Sequence, residues 1–278
     1  MIIEQDYDHF IASFKQQFNM DIASYKQDRM RRRIDAFISR KGFENYTTFL
    51  STLRVDQNLF LSFIDYITIN VSEFFRNKER WQTLESKALP KLLEQNNGKL
   101  KVWSAACAAG EEPYTLSLIL SKHLSPYRYE ILATDLDFHI LESAKRGQYT
   151  ERSLKELPSD LKERHFIKED DIYSLHQNIK QHVTFKQHDL LMQSFDTNYD
   201  LIVCRNVMIY FTEEARVKLY EKFSRSLRKG GVLFVGSTEQ ILTPERFNLQ
   251  RFDTFFYEKY RKKQDEYILL FSIYLLNL

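Results

Sequence analysis

The chain has 278 residues, 43% of them hydrophobic and 14% aromatic, so it can bury a sizeable core in one large domain with room for a smaller one. A net charge of +2 is too slight for a dedicated nucleic-acid binder, whose positive charge is stronger and gathered on one face. Cys107 and Cys204 form no CxxC pair, the seven histidines make no zinc-like spacing with either, and Met1 to Asp6 lacks the basic and long apolar parts of a signal peptide. These features predict a cytoplasmic protein with free thiols, no metal site and no membrane insertion.

Along the chain, apolar residues recur at helical spacing from Tyr7 to about Ile67, as in Phe10, Phe14 and Phe18, which predicts a small helical domain over 1–68. A helix from Tyr25 to Lys41 puts Met30, Ile34, Phe37 and Ile38 in one apolar stripe. Lys26, Arg29, Arg33 and Arg40 line up beside it, while Arg31 and Arg32 point elsewhere. Taken alone, that basic row reads as a solvated face. Residues 69–98 form a linker and a first helix. From Lys99 onward β-rich apolar runs alternate with helical stretches: Leu100 to Ser104, Tyr129 to Thr134, Val183 to Phe185, Leu201 to Cys204, Val232 to Val235 and Phe255 to Tyr257. This order predicts an α/β domain over 99–260 with a mostly parallel sheet and covering helices. In the tail, 261–278, the apolar run Tyr267 to Leu276 is too short to span a bilayer.

Val102 to Tyr114 reads as a strand, a loop of small residues and two acids that open a helix. Such a loop lets backbone approach a ligand closely, but dinucleotide-binding folds present several glycines to a pyrophosphate there, and here Gly110 stands alone. Glu111 and Glu112 favour the helix N-terminus and repel a phosphate. The pocket therefore suits a cation, and the cofactor this predicts is S-adenosylmethionine (SAM), which joins ammonium and sulfonium charges to an adenosine. Parallel sheets bind ligands at the carboxyl ends of their strands. The second strand ends in Asp135, placed to hold a ribose hydroxyl pair, with Asp137 as the cap of the next helix. The third ends in His188-Asp189-Leu190, a polar and an apolar side chain for an adenine edge and face, although Asp189 equally suits a turn. The fourth runs into Arg205 and Asn206, a charged and a polar residue straight after a buried run, where a functional pair is expected. The proline-containing motif that amino-methylating DNA enzymes place here is missing. Tyr210 offers a hydroxyl to a substrate or serves as a buried structural tyrosine.

Ile69-Asn70-Val71-Ser72-Glu73-Phe74-Phe75-Arg76, Trp103 to Tyr114, Ala133 to Asp135 and Cys204 to Phe211 together resemble the chemotaxis receptor methyltransferases, the CheR family, and the resemblance covers nearly the whole chain. It implies a doubly wound, Rossmann-like SAM-dependent methyltransferase domain, a helical N-terminal domain, and a small antiparallel β-subdomain inserted after the second strand at about 148–186. It also implies methyl transfer from SAM to receptor glutamates, giving γ-methyl esters and S-adenosylhomocysteine. Asn70, Ser72, Arg76, Glu112, Asp135, Asp189, Leu190, Arg205 and Asn206 would line the SAM pocket, with Gly110 in its loop, and Tyr210 would face the incoming carboxylate. The family's loop usually reads Ser-Thr-Gly-Glu-Glu, whereas this chain has Ala108-Ala109-Gly110-Glu111-Glu112 and lacks two hydroxyls.

A glutamate acceptor has a reference pKa near ~4.3, so it is already nucleophilic at neutral pH and needs alignment, for which Arg76 and Tyr210 are the candidates. Receptor methylation helices are glutamate-rich, so the resemblance turns Lys26, Arg29, Arg33 and Arg40 into a docking face. Some family members grip a receptor C-terminal peptide with a glycine-rich hairpin in the inserted subdomain. Here no glycine lies between Gly147 and Gly230, which predicts a differently shaped loop and methylation independent of that peptide. Two alternatives to receptor methylation are a SAM-dependent enzyme of another substrate class and a catalytically silent SAM-binding scaffold.

Overall fold

The computed structural model describes residues 4–96 and 98–260; the tail 261–278 lies outside the described residues. Four helices open the chain: α1 (Glu4–Phe18), α2 (Gln27–Arg40), α3 (Tyr46–Leu53) and α4 (Gln57–Ile67). Asn45 and Asp56 start α3 and α4 by accepting the N–H of Thr48 and Leu59. Phe10, Phe14, Ile34, Phe37, Phe49 and Phe63 meet in a core of interlocked aromatic rings. Helix α5 (Lys78–Thr83) continues through a π-helical turn, Leu84–Ala88, into α6 (Leu89–Gln95). Pro90, which has no N–H to give the preceding turn, follows directly on that irregularity.

The remainder runs β1 (Leu100–Ala105), α7 (Glu111–His123), β2 (Tyr129–Asp135), α8 (Phe138–Arg146), β3 (Gln148–Thr150), α9 (Ser159–His165), β4 (Phe166–Glu169), β5 (Ile172–Leu175), α10 (Gln177–Lys180), β6 (Val183–Gln187), β7 (Tyr199–Cys204), α11 (Glu213–Ser226), β8 (Leu227–Val235), β9 (Leu249–Asp253) and β10 (Phe256–Lys259). Seven strands form one sheet in the order β6-β2-β1-β7-β8-β10-β9. Strands β6 to β8 are parallel and the last two antiparallel. Alternate residues feed opposite faces. Val102, Val203 and Phe234 pack with α6 and α7, whereas Trp103, Ile202 and Leu233 pack with α11. The chain winds outward from β1 on one side and from β7 on the other, so the crevice between their carboxyl ends is the switch point where such sheets bind ligands.

A separate three-stranded antiparallel sheet, β3-β5-β4, carries the insertion. It ends at Leu175, and Val183–Gln187 pairs with β2 in the large sheet, so the inserted segment closes before Val183 rather than at Lys186. Its hairpin makes a tight turn without glycine. Glu169 pairs with Ile172 across a two-residue turn in which Asp170 takes φ +52°, a left-handed conformation that Asp tolerates. β9 had no expected counterpart, because its mixed sequence Leu-Gln-Arg-Phe-Asp is an edge strand with little to bury.

Gly110 sits at φ +92° at the start of α7, where an added Cβ would lie 3.0 Å from Ala144 Cβ, 3.1 Å from Tyr149 Oη and 3.2 Å from Tyr114 Cε2. Gly110→Ala is expected to cost about 1–3 kcal/mol of stability through strain and crowding. Urea unfolding checks this as a lower midpoint at unchanged slope.

Candidate active site

The crevice is a cavity whose floor comes from the strand ends and whose walls come from the 69–76 segment and α2. Ala106 and Ala108, in the loop after β1, both take positive φ, +59° and +47°. That strained turn points the Ala108 N–H at Asp135 Oδ2, 2.9 Å away, while Asp135 Oδ1 accepts the Asp137 N–H. Burial pushes Asp135 up to about 6 against those two hydrogen bonds. Asp137 is the cap of α8, accepting the N–H groups of His139 and Ile140, and it also receives Asn70 Nδ2 at 2.9 Å. Asn70 thus ties the linker to the helix after β2.

The two acids of α7 diverge. Glu111 turns toward Ser153 beneath the inserted subdomain, whereas Glu112 lines the cavity. Glu112 Oε1 accepts from Ser104 Oγ at 2.8 Å and Oε2 lies 3.7 Å from Arg205 Nη1. Burial raises Glu112 to about 7, with Arg205 pulling the other way. Arg205 is itself buried, lies 5.0 Å from the Trp81 ring centroid and 4.8 Å from that of Phe234, and donates to the Arg76 carbonyl and Asn77 Oδ1. The Arg76 side chain lines the cavity and donates to the Val71 carbonyl.

Ser72, Leu190, Asn206 and Tyr210 also line the cavity. Asp189 does so with a divided role, because its Oδ1 accepts the N–H groups of Leu191 and Met192 in a turn. Among the described residues the Tyr210 hydroxyl has no hydrogen-bond partner. Lys26, Arg29 and Arg33 stand along the α2 side, with Arg29 and Lys26 exposed. Arg33 differs from the expectation of a free docking charge: its guanidinium donates to the carbonyls of Tyr66 and Thr68 and holds the linker. Two expected residues lie off the cavity wall. Gly110 packs against Ala144 and Tyr149, a closeness that a side chain there would disturb. Arg40 is at the far end of α2, 4.5 Å from the Tyr66 ring centroid.

Three residues escaped the sequence reading. Tyr25 lines the cavity with its ring edge-on to Phe211 at 4.9 Å, and the adjoining backbone pairs Lys26 N with the Tyr210 carbonyl and Thr212 N with the Ser24 carbonyl. Lys222 donates to the carbonyls of Leu190, Leu191 and Gln193 and fixes the loop after β6. Glu239 accepts backbone N–H groups from the loop after β7. Its one legible signal was an acid three residues after the glycine that ends a buried apolar strand, Gly236.

The cavity's interior carboxylates, Glu112 and Asp135, suit a cationic ligand. Residues 70–256 match the family model described as CheR methyltransferase, SAM binding domain, and residues 5–68 that of CheR methyltransferase, all-alpha domain. The chain is 44% identical over 257 residues to the chemotaxis protein methyltransferase of Listeria monocytogenes, covering 92% of this chain and 98% of that one. It is 32% identical over 253 residues to that of Borreliella burgdorferi (86% and 89%), and 29% identical over 241 residues to that of Escherichia coli K12 (83% and 82%). With S-adenosylmethionine as cofactor and both family domains in sequence, the chain belongs to the CheR methyltransferase family.

Proposed function

We propose that this protein methylates glutamate side chains on the cytoplasmic helices of chemotaxis receptors, producing γ-methyl esters and S-adenosylhomocysteine. The observation that carries the reading is a separation of charge: Glu112 and Asp135 are buried inside the cavity, whereas Lys26 and Arg29 are exposed along its α2 side. Acids inside hold a cationic cofactor; bases outside attract an acidic partner. No helix among the described residues is long and apolar enough to cross a membrane.

When bound, SAM supplies a methyl group on a positively charged sulfur. Asp135 would hold the ribose hydroxyls, Glu112 the ammonium end, and Asp189, Leu190 and Asn206 the adenosine. Ser72 and Asn70 would close the linker side. The acceptor carboxylate, ionised at neutral pH, needs no general base, so the protein's task is alignment and exclusion of water. Tyr210, through its hydroxyl, and Arg76, through its guanidinium, would hold that carboxylate. The hairpin tip Glu169-Asp170-Asp171 is acidic and without glycine, which supports methylation independent of a receptor C-terminal peptide. Incubation with labelled SAM and receptor-bearing membranes tests the proposal. Base-labile methanol release is expected, and label that appears without receptor, or not at all, would overturn it.

Glu112, raised to about 7, and Asp135, raised to about 6, make cofactor affinity depend on pH. Both are raised above their unfolded values, so each group's stabilising contribution is present below its unfolded pKa and is lost as pH rises through its folded pKa. A cationic ligand favours the ionised forms. SAM affinity is therefore expected to rise from about pH 5.5 to about 7.5, with proton release by the protein on binding near about pH 6.5. Calorimetry in buffers of different ionisation enthalpy reads this, and Glu112→Gln should release fewer protons.

Tyr210→Phe is expected to keep SAM affinity and lower the methylation rate about ten- to a hundred-fold, the loss of one hydrogen bond to a charged group. A wild-type rate would make Tyr210 structural. Because Arg33 is committed to the linker, the docking face is better tested by Lys26→Glu with Arg29→Glu. Receptor methylation should fall and lose most of its salt dependence, since exposed pairs are screened over about 8 Å at physiological ionic strength. Cofactor affinity should not fall, because new carboxylates at the mouth do not repel a cation.

A further inference from the structure

The segment Asn206–Tyr210, which follows β7, has to leave the sheet, put the Asn206 side chain on the cavity wall and bring Tyr210 to the acceptor side within a few residues. Asn206 does so at φ +61° and Val207 at φ −120°, ψ −42°, neither of which a free chain favours. One side chain answers the backbone groups this leaves. Glu239, 1% exposed, accepts the N–H of Asn206 at 2.7 Å and of Gly236 at 2.7 Å on Oε2, and the N–H of Val207 at 2.7 Å and of Ile209 at 3.3 Å on Oε1. Among the described residues no lysine or arginine forms an ion pair with it. Burial pushes its carboxyl up, and the backbone N–H groups oppose that shift.

A buried carboxylate with no ion-pair partner is expensive even with the Arg205 charge acting on it from farther off, and an apolar residue would fill the volume more cheaply. What it supplies instead is an anion at the focus of several N–H dipoles, which only one arrangement of the segment satisfies. The fold makes room for it. A Cβ at Gly236 would lie 2.3 Å from Glu239 Oε2 and 2.7 Å from the Asn206 nitrogen, so only glycine lets the carboxylate in. The far end of the segment is fixed independently, by Lys26 N on the Tyr210 carbonyl and Thr212 N on the Ser24 carbonyl. Tyr210 is held between two anchors, and Glu239 is the one within the methyltransferase domain.

We infer that Glu239 is a positioning residue for methyl transfer: it sets the backbone of Asn206–Ile209, and through it both the cofactor contact of Asn206 and the placement of Tyr210 against the acceptor. The inference rests on the role proposed above for Tyr210.

Glu239→Gln tests it, because an amide turns two donors toward N–H groups that need acceptors. The expected result is a folded protein with several-fold weaker SAM binding by calorimetry and a kcat lowered about tenfold or more, with little change in KM for receptor. In a Tyr210→Phe background the same substitution should lower kcat far less, since residues acting as one unit are not additive. Gly236→Ala, which displaces the carboxylate without removing its charge, should reproduce both effects and serves if the Gln variant does not fold. Wild-type kcat and SAM affinity in either folded variant would overturn the inference, as would an equal loss of kcat in both backgrounds. If Tyr210→Phe alone leaves the rate unchanged, the Tyr210 reading fails instead, and the SAM affinity of Glu239→Gln still decides whether Glu239 positions Asn206.

Discussion

The cavity depends on the buried guanidinium of Arg205. It leaves the end of β7, passes between Trp81 and Phe234, and reaches the carbonyl of Arg76, the side chain of Asn77 and the carboxylate of Glu112. One side chain therefore joins the sheet, the segment before α5 and the first turn of α7. Its planar fork suits this task, because several donors leave a rigid plane whose faces can stack on aromatic rings. Burial lowers its basicity and Glu112 raises it, so each charge compensates part of the other's desolvation. Losing one partner would leave the other charge buried and unmatched.

Around that strut, the loops after β1 and β7 and the segment before α5 share a local logic. Phe75, Asn77, Ala106, Ala108 and Asn206 all take positive φ. Such conformations cost on the order of 1–3 kcal/mol each in non-glycine residues and persist where surrounding bonds over-determine them. The bonds are visible here. Asp135 holds Ala108, Glu239 holds Asn206 and Val207, the Thr115 hydroxyl accepts the Phe75 N–H, and Arg205 takes the Asn77 side chain. The loop after β6 is held by the opposite charge, since it presents carbonyls and Lys222 receives them. Carboxylates gather amides and an ammonium gathers carbonyls, so the cavity wall is rigid where the sheet no longer supports it.

The helical domain is more than a docking module attached to an enzyme. Its residues Ser24 to Lys26 pair with the backbone on either side of Phe211, Tyr25 lines the cavity, and Arg33 fixes the linker that carries Asn70 and Ser72. The helix expected to recruit an acidic partner is therefore joined by backbone hydrogen bonds to the tyrosine proposed to align it.

Much of this was legible in the residues. Helical and two-residue periodicities separate the aromatic-cored domain from the parallel sheet, because a helix and a half-buried strand each need apolar side chains at one fixed interval. Asp135, which ends a largely buried strand, and the pair Arg205-Asn206, which follows a fully buried one, stand out because polar groups at the end of buried runs fall at the carboxyl edge. Family motifs then named the chemistry. The divergence of Glu111 from Glu112, the commitment of Arg33 to carbonyls, the packing role of Gly110 and the gathering of backbone amides by Glu239 were decided by tertiary structure alone. Each depends on which distant groups lie within about 3 Å, and a hydrogen bond between residues 30 or more positions apart leaves no periodic trace in the chain. The sequence by itself determined which faces are apolar and where charges leave the sheet; which charge meets which partner was settled only when the strands, loops and helices were brought together.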